Sequence, residues 1–360
     1  MGIKQFYVDL SIFGPRQAGV ALYSLEMARY LERTFHCRVI TPPYYAHFFE
    51  EPAVCRPPLA LKGSVIWRNP FGWTNQIRSG SGTLLYCPHA YGTALPVRQA
   101  LTMHDLIPYH YPTRNHFENF YYRVIFPRLV KRVPLVCTVS NTTKIQLCDR
   151  FDLDANQIEV VPNGIDTKQW RPAESFRAEA DYLLAVSANR PYKNIIELLQ
   201  NHDLWDRSYR LKIVSSQSRY AERIKATVME LGIQNQVDFL EKVSDEDLIR
   251  LYQNAAASIY PSLIEGFGRP PLESMAAGRP VILSDIPVHK EIFGDAGIFI
   301  TPGDRNSWAD AFRTLQDTSV IKRSIAAGYQ LAAQYSLQNI HQVLDAALVK
   351  HFPGLNNLRK

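Results

Sequence analysis

The sequence predicts an α/β protein made of two doubly wound parallel sheets, with an amphipathic helix at its C-terminal end. Three observations carry this. The chain has 360 residues, whereas domains run about 100–200 residues, so two cores are expected. Short β-branched runs alternate with helical stretches, the rhythm of parallel strands covered by helices on both faces. Hydrophobic residues make up 46% and charged residues 21%, enough apolar side chain for a core in each half.

The strands expected in the first half are "KQFYVDL", "CRVITPP", "TLLYCP", "QALTMHD", "LVCTVS" and "IEVVPNG". The second half repeats the pattern with "YLLAVSA", "YRLKIVSS", "QVDFLEKV", "ASIYPS", "RPVILSD" and "GIFITPG". Between them, "PNGIDTKQWRPAES" at 162–175 clusters Pro, Asn, Gly and Asp and reads as the interdomain boundary. We therefore expect domains at 1–165 and 166–335. Open α/β sheets bind ligands beyond the carboxyl ends of their strands, so the site is expected in a cleft that the two domains face. The tail from 336 to 360 carries Ile340, Val343, Leu344, Ala347 and Leu348 at helical spacing behind Ser336, a candidate N-cap. This helix is expected to pack back toward the first domain.

The formal charge of +6 permits an anionic partner without choosing one. Five scattered cysteines, Cys37, Cys55, Cys87, Cys137 and Cys148, include no CxxC pair and signal neither a disulfide framework nor a zinc site. A reducing cytoplasm fits. "MGIKQFYVDL" reads as a strand rather than a signal peptide, and Phe6 breaks the myristoylation pattern that Gly2 begins. No apolar run approaches bilayer length, so the chain is expected to be soluble or peripheral.

"EGFGRPPLE" at 265–273 places Glu265 and Glu273 eight positions apart around a glycine-rich turn. Pro is favoured at the start of helices, so Pro270 or Pro271 opens one, with Glu273 in its first turn and Gly278 at its end. The amides of Gly266, Phe267 and Gly268 would then form an anion cradle. Carboxylates would repel a phosphate held there and must address hydroxyls of the same ligand. A sugar nucleotide has that layout: sugar hydroxyls, a diphosphate, and a ribose diol. The alternative is that Glu273 only complements the helix dipole.

"PSLIEGFGRPPLESMAAGRPVILSD" resembles the donor-site segment of the family 4 glycosyltransferases, enzymes of the GT-B fold with a Glu-x7-Glu signature. The resemblance extends to "VVPNGID", to "VSDEDLIRLYQNAAASIYPS" and to "HKEIFGDAGIFI". "RQAGVALYSLEMARYL" is similar to the family's first glycine loop, with Gly19 alone where two glycines are common. In "LLAVSANRPYKNIIELL", Arg190 and Lys193 stand between a strand and a helix, where a departing diphosphate needs positive charge. The resemblance implies that this basic pair holds the diphosphate. It also implies that His104 of "LTMHDLIPYHYP" faces the transferred sugar, although a lone histidine by itself reads as structural. Asp105 reads as a local cap.

"DLD" at 152–154 imitates an Asp-x-Asp metal motif but reads as a turn, and "SDEDL" at 244–248 reads as a Ser N-cap. No metal or cofactor is expected. No acid occurs between Glu118 and Asp149, while Arg123, Arg128, Lys131, Arg132 and Lys144 interleave with Phe120, Tyr121, Tyr122 and Phe126. Two readings stay open here: a surface docking on anionic lipid, or a packed helix with a solvated basic edge.

The resemblance implies a retaining glycosyltransferase of polysaccharide or glycolipid synthesis, cytoplasmic or peripheral at the inner membrane face. Its partners would be a nucleotide-sugar donor and a saccharide or lipid-linked acceptor, and no nucleic acid. Because "HDLIPYHYP" resembles mannosyltransferases of bacterial surface polysaccharides, GDP-mannose is the first donor suggested. An oxidoreductase would need a Gly-x-Gly-x-x-Gly turn that neither first strand has. A GT-B epimerase and a noncatalytic sugar-nucleotide-binding subunit remain as alternatives.

Overall fold

The computed structural model describes residues 2–15, 19–54, 77–78, 80–112, 115–173 and 180–360. Cys55, the start of the "RQAGV" loop at 16–18 and the end of the boundary segment at 174–175 lie outside the described residues. The chain divides into two compact units, one reaching Asn163 and including Gln338–Lys360, the other running Gly164–Leu337.

In the first unit the strands are β1 (Gln5–Asp9), β2 (Cys37–Thr41), β3 (Ala53–Val54), β4 (Thr83–Cys87), β5 (Arg98–Met103), β6 (Leu135–Thr138) and β7 (Ile158–Val160). They form one sheet in the order β3-β2-β1-β4-β5-β6-β7. Every pairing is parallel, with Val8 opposite Val39 on one side and Tyr86 on the other. The helices are α1 (Val20–Thr34), α2 (Ile107–His110), α3 (His116–Phe120), α4 (Phe126–Val130) after a π turn at Tyr121–Ile125, and α5 (Asn141–Phe151). The central strands β4 and β6 are buried along their whole length. That is why they read as continuous apolar runs rather than alternating ones.

The second unit holds β8 (Tyr182–Val186), β9 (Arg210–Val214), β10 (Val237–Leu240), β11 (Ala257–Tyr260), β12 (Val281–Ser284) and β13 (Ile298–Ile300), all parallel in the order β10-β9-β8-β11-β12-β13. Its helices are α6 (Ile195–Gln200), α7 (Arg219–Glu230), α8 (Asp245–Asn254), α9 (Arg269–Ala276), α10 (Pro287–Phe293), α11 (Arg305–Thr314) and α12 (Thr318–Gln334). Trp205 and Trp308 are fully buried in its core. All the strands expected from sequence are present, and β3 is an addition. In each sheet the order reverses beside the first strand, between β1 and β4 and between β8 and β11, which makes the carboxyl ends of those pairs the places for a ligand.

The last helix, α13 (Leu337–His351), buries Ile340, Leu344, Ala347 and Leu348. Val343, assigned above to the same stripe, is exposed. Lys350 and His351 of this helix both meet Glu159 of β7, at 2.6 and 3.0 Å; burial pushes its carboxyl up, but these two hydrogen bonds outweigh it and hold the group below the usual range. Ser336 directly precedes the helix, bridged to Ile165. The "DLD" segment is a turn, with Asp152 left-handed after α5 and Asp154 capping a single 3-10 turn. Ser244 caps α8 by accepting from Asp247 N at 3.1 Å.

Candidate active site

The donor-side constellation is built at the reversal point of the second sheet. After β8 the chain passes Arg190, makes a 3-10 turn at Pro191–Lys193, and enters α6 through a left-handed Asn194. After β11 it continues through Ser262 to Glu265. A hydrogen bond from Leu263 N to Tyr192 O, 2.8 Å long, ties the two loops together. The result is an ion pair in which Lys193 Nζ lies 2.5 Å from Glu265 Oε1, with both side chains only 13–14% exposed. Burial pushes the Glu265 carboxyl up, but the Lys193 ammonium outweighs it and holds the group below its usual range. Arg190 is exposed on the same turn, so the expected basic pair is split between one engaged cation and one facing solvent.

Gly268 precedes α9 with φ of 105°, a conformation that favours glycine, and a Cβ there would lie 3.0 Å from the Phe293 ring. This corrects the expected helix start. The helix opens at Arg269 rather than at a proline, with Pro270 and Pro271 following inside its first turn. Glu273 therefore sits in the second turn, too deep to act as a first-turn dipole partner. Gly278, with φ of 79°, ends the helix as expected, Arg279 N bonding to Ser274 O and Gly278 N to Met275 O. Gly266, Phe267 and Gly268 are all buried, and the Phe267 ring packs edge-on against Tyr335 and Phe293. The Phe267 side chain thus belongs to the core, which leaves only its backbone for the expected anion cradle.

Glu273 is 7% exposed. Its Oε1 accepts from Arg269 Nε at 3.2 Å and its Oε2 from the Tyr252 hydroxyl at 3.3 Å, which in turn lies 3.0 Å from the Tyr260 hydroxyl. The two acids thus have separate cationic partners, Lys193 for Glu265 and Arg269 for Glu273.

One residue in this region carries chemistry that the sequence did not single out. His289 of α10 is fully buried, and its Nδ1 lies 3.0 Å from Ser284 O. A carbonyl only accepts, so Nδ1 bears the proton and Nε2 presents a lone pair with no partner among the described residues. Burial drops its pKa to about 4, while the Glu265 charge acts in the opposite sense. The only signal for it in the sequence was its place in "HKEIFGDAGIFI".

In the first unit, His104 directly follows β5. Its Nε2 donates to Pro88 O at 3.2 Å and its ring stands edge-on to Tyr23 at 4.7 Å. Burial lowers its pKa to about 4, so the neutral ring offers Nδ1 as an acceptor at neutral pH. Asp105 caps locally, Oδ1 accepting from Ile107 N at 2.8 Å. Gly19 starts α1 with φ of 54° and ψ of −117°, backbone angles that favour glycine. Asp9, Cys87 and His89 bring their ligand atoms within 4.8 Å of one another where β1 and β4 end. Both ring nitrogens of His89 are spent, Nε2 on Asp9 O at 3.1 Å and Nδ1 on Tyr91 N at 3.2 Å. The cluster therefore anchors two strand ends and leaves the imidazole no lone pair for a metal.

Two family descriptions match the chain: Glycosyltransferase Family 4 over residues 18–169 and Glycosyl transferases group 1 over residues 166–327. The O-antigen chain mannosyltransferase RfbU of Salmonella typhimurium is 33% identical over 260 residues, 72% of this chain and 72% of that protein. The O-antigen chain mannosyltransferase B of Escherichia coli is 29% identical over 272 residues, 72% of this chain and 70% of that protein. Among solved structures, the sucrose-phosphate synthase of Thermosynechococcus elongatus superposes with a TM-score of 0.77 at 18% identity, covering 97% of this chain and 100% of that one. Anabaena HepE in complex with UDP-glucose gives 0.75 at 16% identity over 96% of this chain and 99% of that one. The fold is GT-B. The chain belongs to the family 4 glycosyltransferases, and it is a sugar-transferring enzyme.

Proposed function

We propose that the protein transfers mannose, with retention of configuration, from GDP-mannose to a hydroxyl of a saccharide or lipid-linked acceptor during surface-polysaccharide assembly. The observation that carries the reading is the Lys193–Glu265 pair beside the glycine turn that opens α9. Donor diphosphate on the amides of Gly266–Gly268 competes for Lys193, and exposed Arg190 closes on it as negative charge grows on the leaving group. Glu265, released from its partner, accepts from the sugar hydroxyls, while Glu273, steadied by Arg269 and Tyr252, accepts from the ribose. His104 serves the transferred sugar as a neutral acceptor. The cations supply the charge, so the reaction needs no metal or cofactor. No enzyme carboxylate is assigned as a nucleophile; the acceptor hydroxyl attacks from the face the diphosphate leaves, and its proton passes to the departing diphosphate as the sugar–phosphate bond breaks. The mannose assignment is supported by the two O-antigen relatives, both mannosyltransferases.

The reaction is assigned to the cytoplasmic face of a membrane. Among the described residues no helix is long and apolar enough to cross a bilayer. Phe117 and Phe120, three apart on α3, are 55% and 51% exposed ahead of Arg123, Arg128, Lys131 and Arg132, which suits peripheral contact with anionic lipid. The substrate reading is tested by thermal shift with GDP, UDP, ADP and their sugars, because a ligand at 100 times its Kd stabilises by about 2.7 kcal/mol. GDP and GDP-mannose should shift the transition most, and the NMR anomeric coupling of the product should match that of the donor. A preference for UDP sugars or an inverted product would overturn it.

A further inference from the structure

The amino ends of β5 and β6, the end of the sheet opposite His104, frame a cavity of about 890 Å³. Leu95, Val97, Val124, Ile125, Leu129 and Val133 give it an apolar wall. Its three uncharged polar lining side chains are already engaged, the Thr93 hydroxyl accepting from Leu95 N at 3.2 Å. Gln99 exchanges two hydrogen bonds with Thr93, at 2.8 and 2.7 Å. The Tyr121 hydroxyl donates to Ala90 O at 2.9 Å and accepts from Gly92 N at 3.2 Å. A sugar or a nucleobase placed inside would lose its hydrogen bonds to water and find few in return, so the part of a ligand that enters must be apolar.

The rim is charged with one sign only. Arg128 and Arg132 are exposed there and pair with no carboxylate among the described residues, and the sequence holds no acid from 119 to 148. Arg128 spends one donor on Val124 O at 2.6 Å and keeps the rest of its fork. Guanidinium forks match phosphate bidentately. The volume is that of a single small-molecule site, so one chain enters rather than a bilayer face.

We propose that this cavity binds one lipid phosphate, its isoprenyl or alkyl chain inside and its phosphate on Arg128 and Arg132. A lipid-linked acceptor carries such a group. That connection rests on the transfer reading above, whereas the binding itself does not.

Calorimetry below micellar concentrations, with no sugar nucleotide present, tests it using farnesyl phosphate, dodecyl phosphate, dodecyl maltoside and inorganic phosphate. Both lipid phosphates should bind at least tenfold more tightly than dodecyl maltoside or inorganic phosphate. The Arg128→Gln/Arg132→Gln double variant should lose at least tenfold of that affinity. Val97→Trp, which puts an indole into the apolar part of the cavity, should weaken binding of both lipid phosphates, and the arginine variant keeps the test decisive if the tryptophan does not fold. Tighter binding of farnesyl than dodecyl phosphate would mark an isoprenoid carrier as the source, and the reverse a membrane phospholipid. Equal affinity for dodecyl maltoside, equal affinity for inorganic phosphate, or an unchanged arginine variant would overturn the proposal. Donor turnover with a short soluble acceptor is read separately, so failure here leaves the transfer reading standing.

Discussion

Lys193 and Glu265, 72 residues apart in sequence, meet at 2.5 Å where β8 and β11 end. In the proposed reaction, the diphosphate's cation and the sugar's acceptor are stored as one another's partner until a donor separates them. Removing either leaves a charge with little water around it. Lys193→Met should therefore lose about 3 kcal/mol of stability, toward the lower end for a broken buried pair because both groups keep some exposure. Urea unfolding checks this, and an unchanged midpoint would contradict the pairing.

The two acids should separate by experiment. Glu273→Gln should weaken GDP and GDP-mannose alike, by about 1–3 kcal/mol, and should also lower the melting temperature because Arg269 loses its partner. Glu265→Gln should leave GDP affinity nearly intact while sharply lowering transfer, since its contact matters most near the transition state. Calorimetry with steady-state kinetics distinguishes the two, and a reversed pattern would exchange the roles.

Acid should destabilise the fold in two windows. Burial lowers His89 to about 3 and His104 and His289 to about 4. Between the ordinary histidine value and those values the unfolded chain binds more protons, so stability falls as pH drops from about 6.5 toward 4, by up to about 1.4 kcal/mol per pH unit for each histidine. Glu265, held below its usual range, adds a further loss only beneath about 4.5. His289→Phe should remove one proton's share of the first slope. A melting temperature flat from pH 7 to 4.5 would contradict the three neutral rings.

Gly268→Ala should cost about 1–3 kcal/mol, because φ of 105° is strained for any Cβ and the Phe293 ring stands in its way. Differential scanning calorimetry reads the loss, and an unaffected transition would mean that the turn before α9 has another shape.

The sheets were legible because buried parallel strands leave unbroken apolar runs bounded by turn residues. β3 escaped notice since Ala53–Val54 is two residues long and makes no run. The start of α9 differs from the expectation at Pro270 or Pro271 because prolines fit anywhere in a first turn, while a left-handed Gly268 sets the entry at Arg269, one or two residues earlier. Val343 sits at a spacing compatible with the buried stripe of α13, yet the exact width of a stripe depends on the surface it meets. Partnerships across the fold were not readable at all. Nothing local says that Lys193 turns to Glu265 and Arg190 to solvent, that Arg269 holds Glu273, or that His289 is buried with an idle nitrogen.

If the Arg190–Lys193 turn stabilises the departing diphosphate, turnover depends on its two cations. The most direct test is GDP release from GDP-mannose, with acceptor saturating, by wild type and by Arg190→Ala/Lys193→Ala with the fold verified by circular dichroism. Turnover should fall at least about 100- to 1,000-fold, the loss of one preorganised charge being worth roughly 2.7–4 kcal/mol. Turnover within a factor of a few of wild type would contradict it.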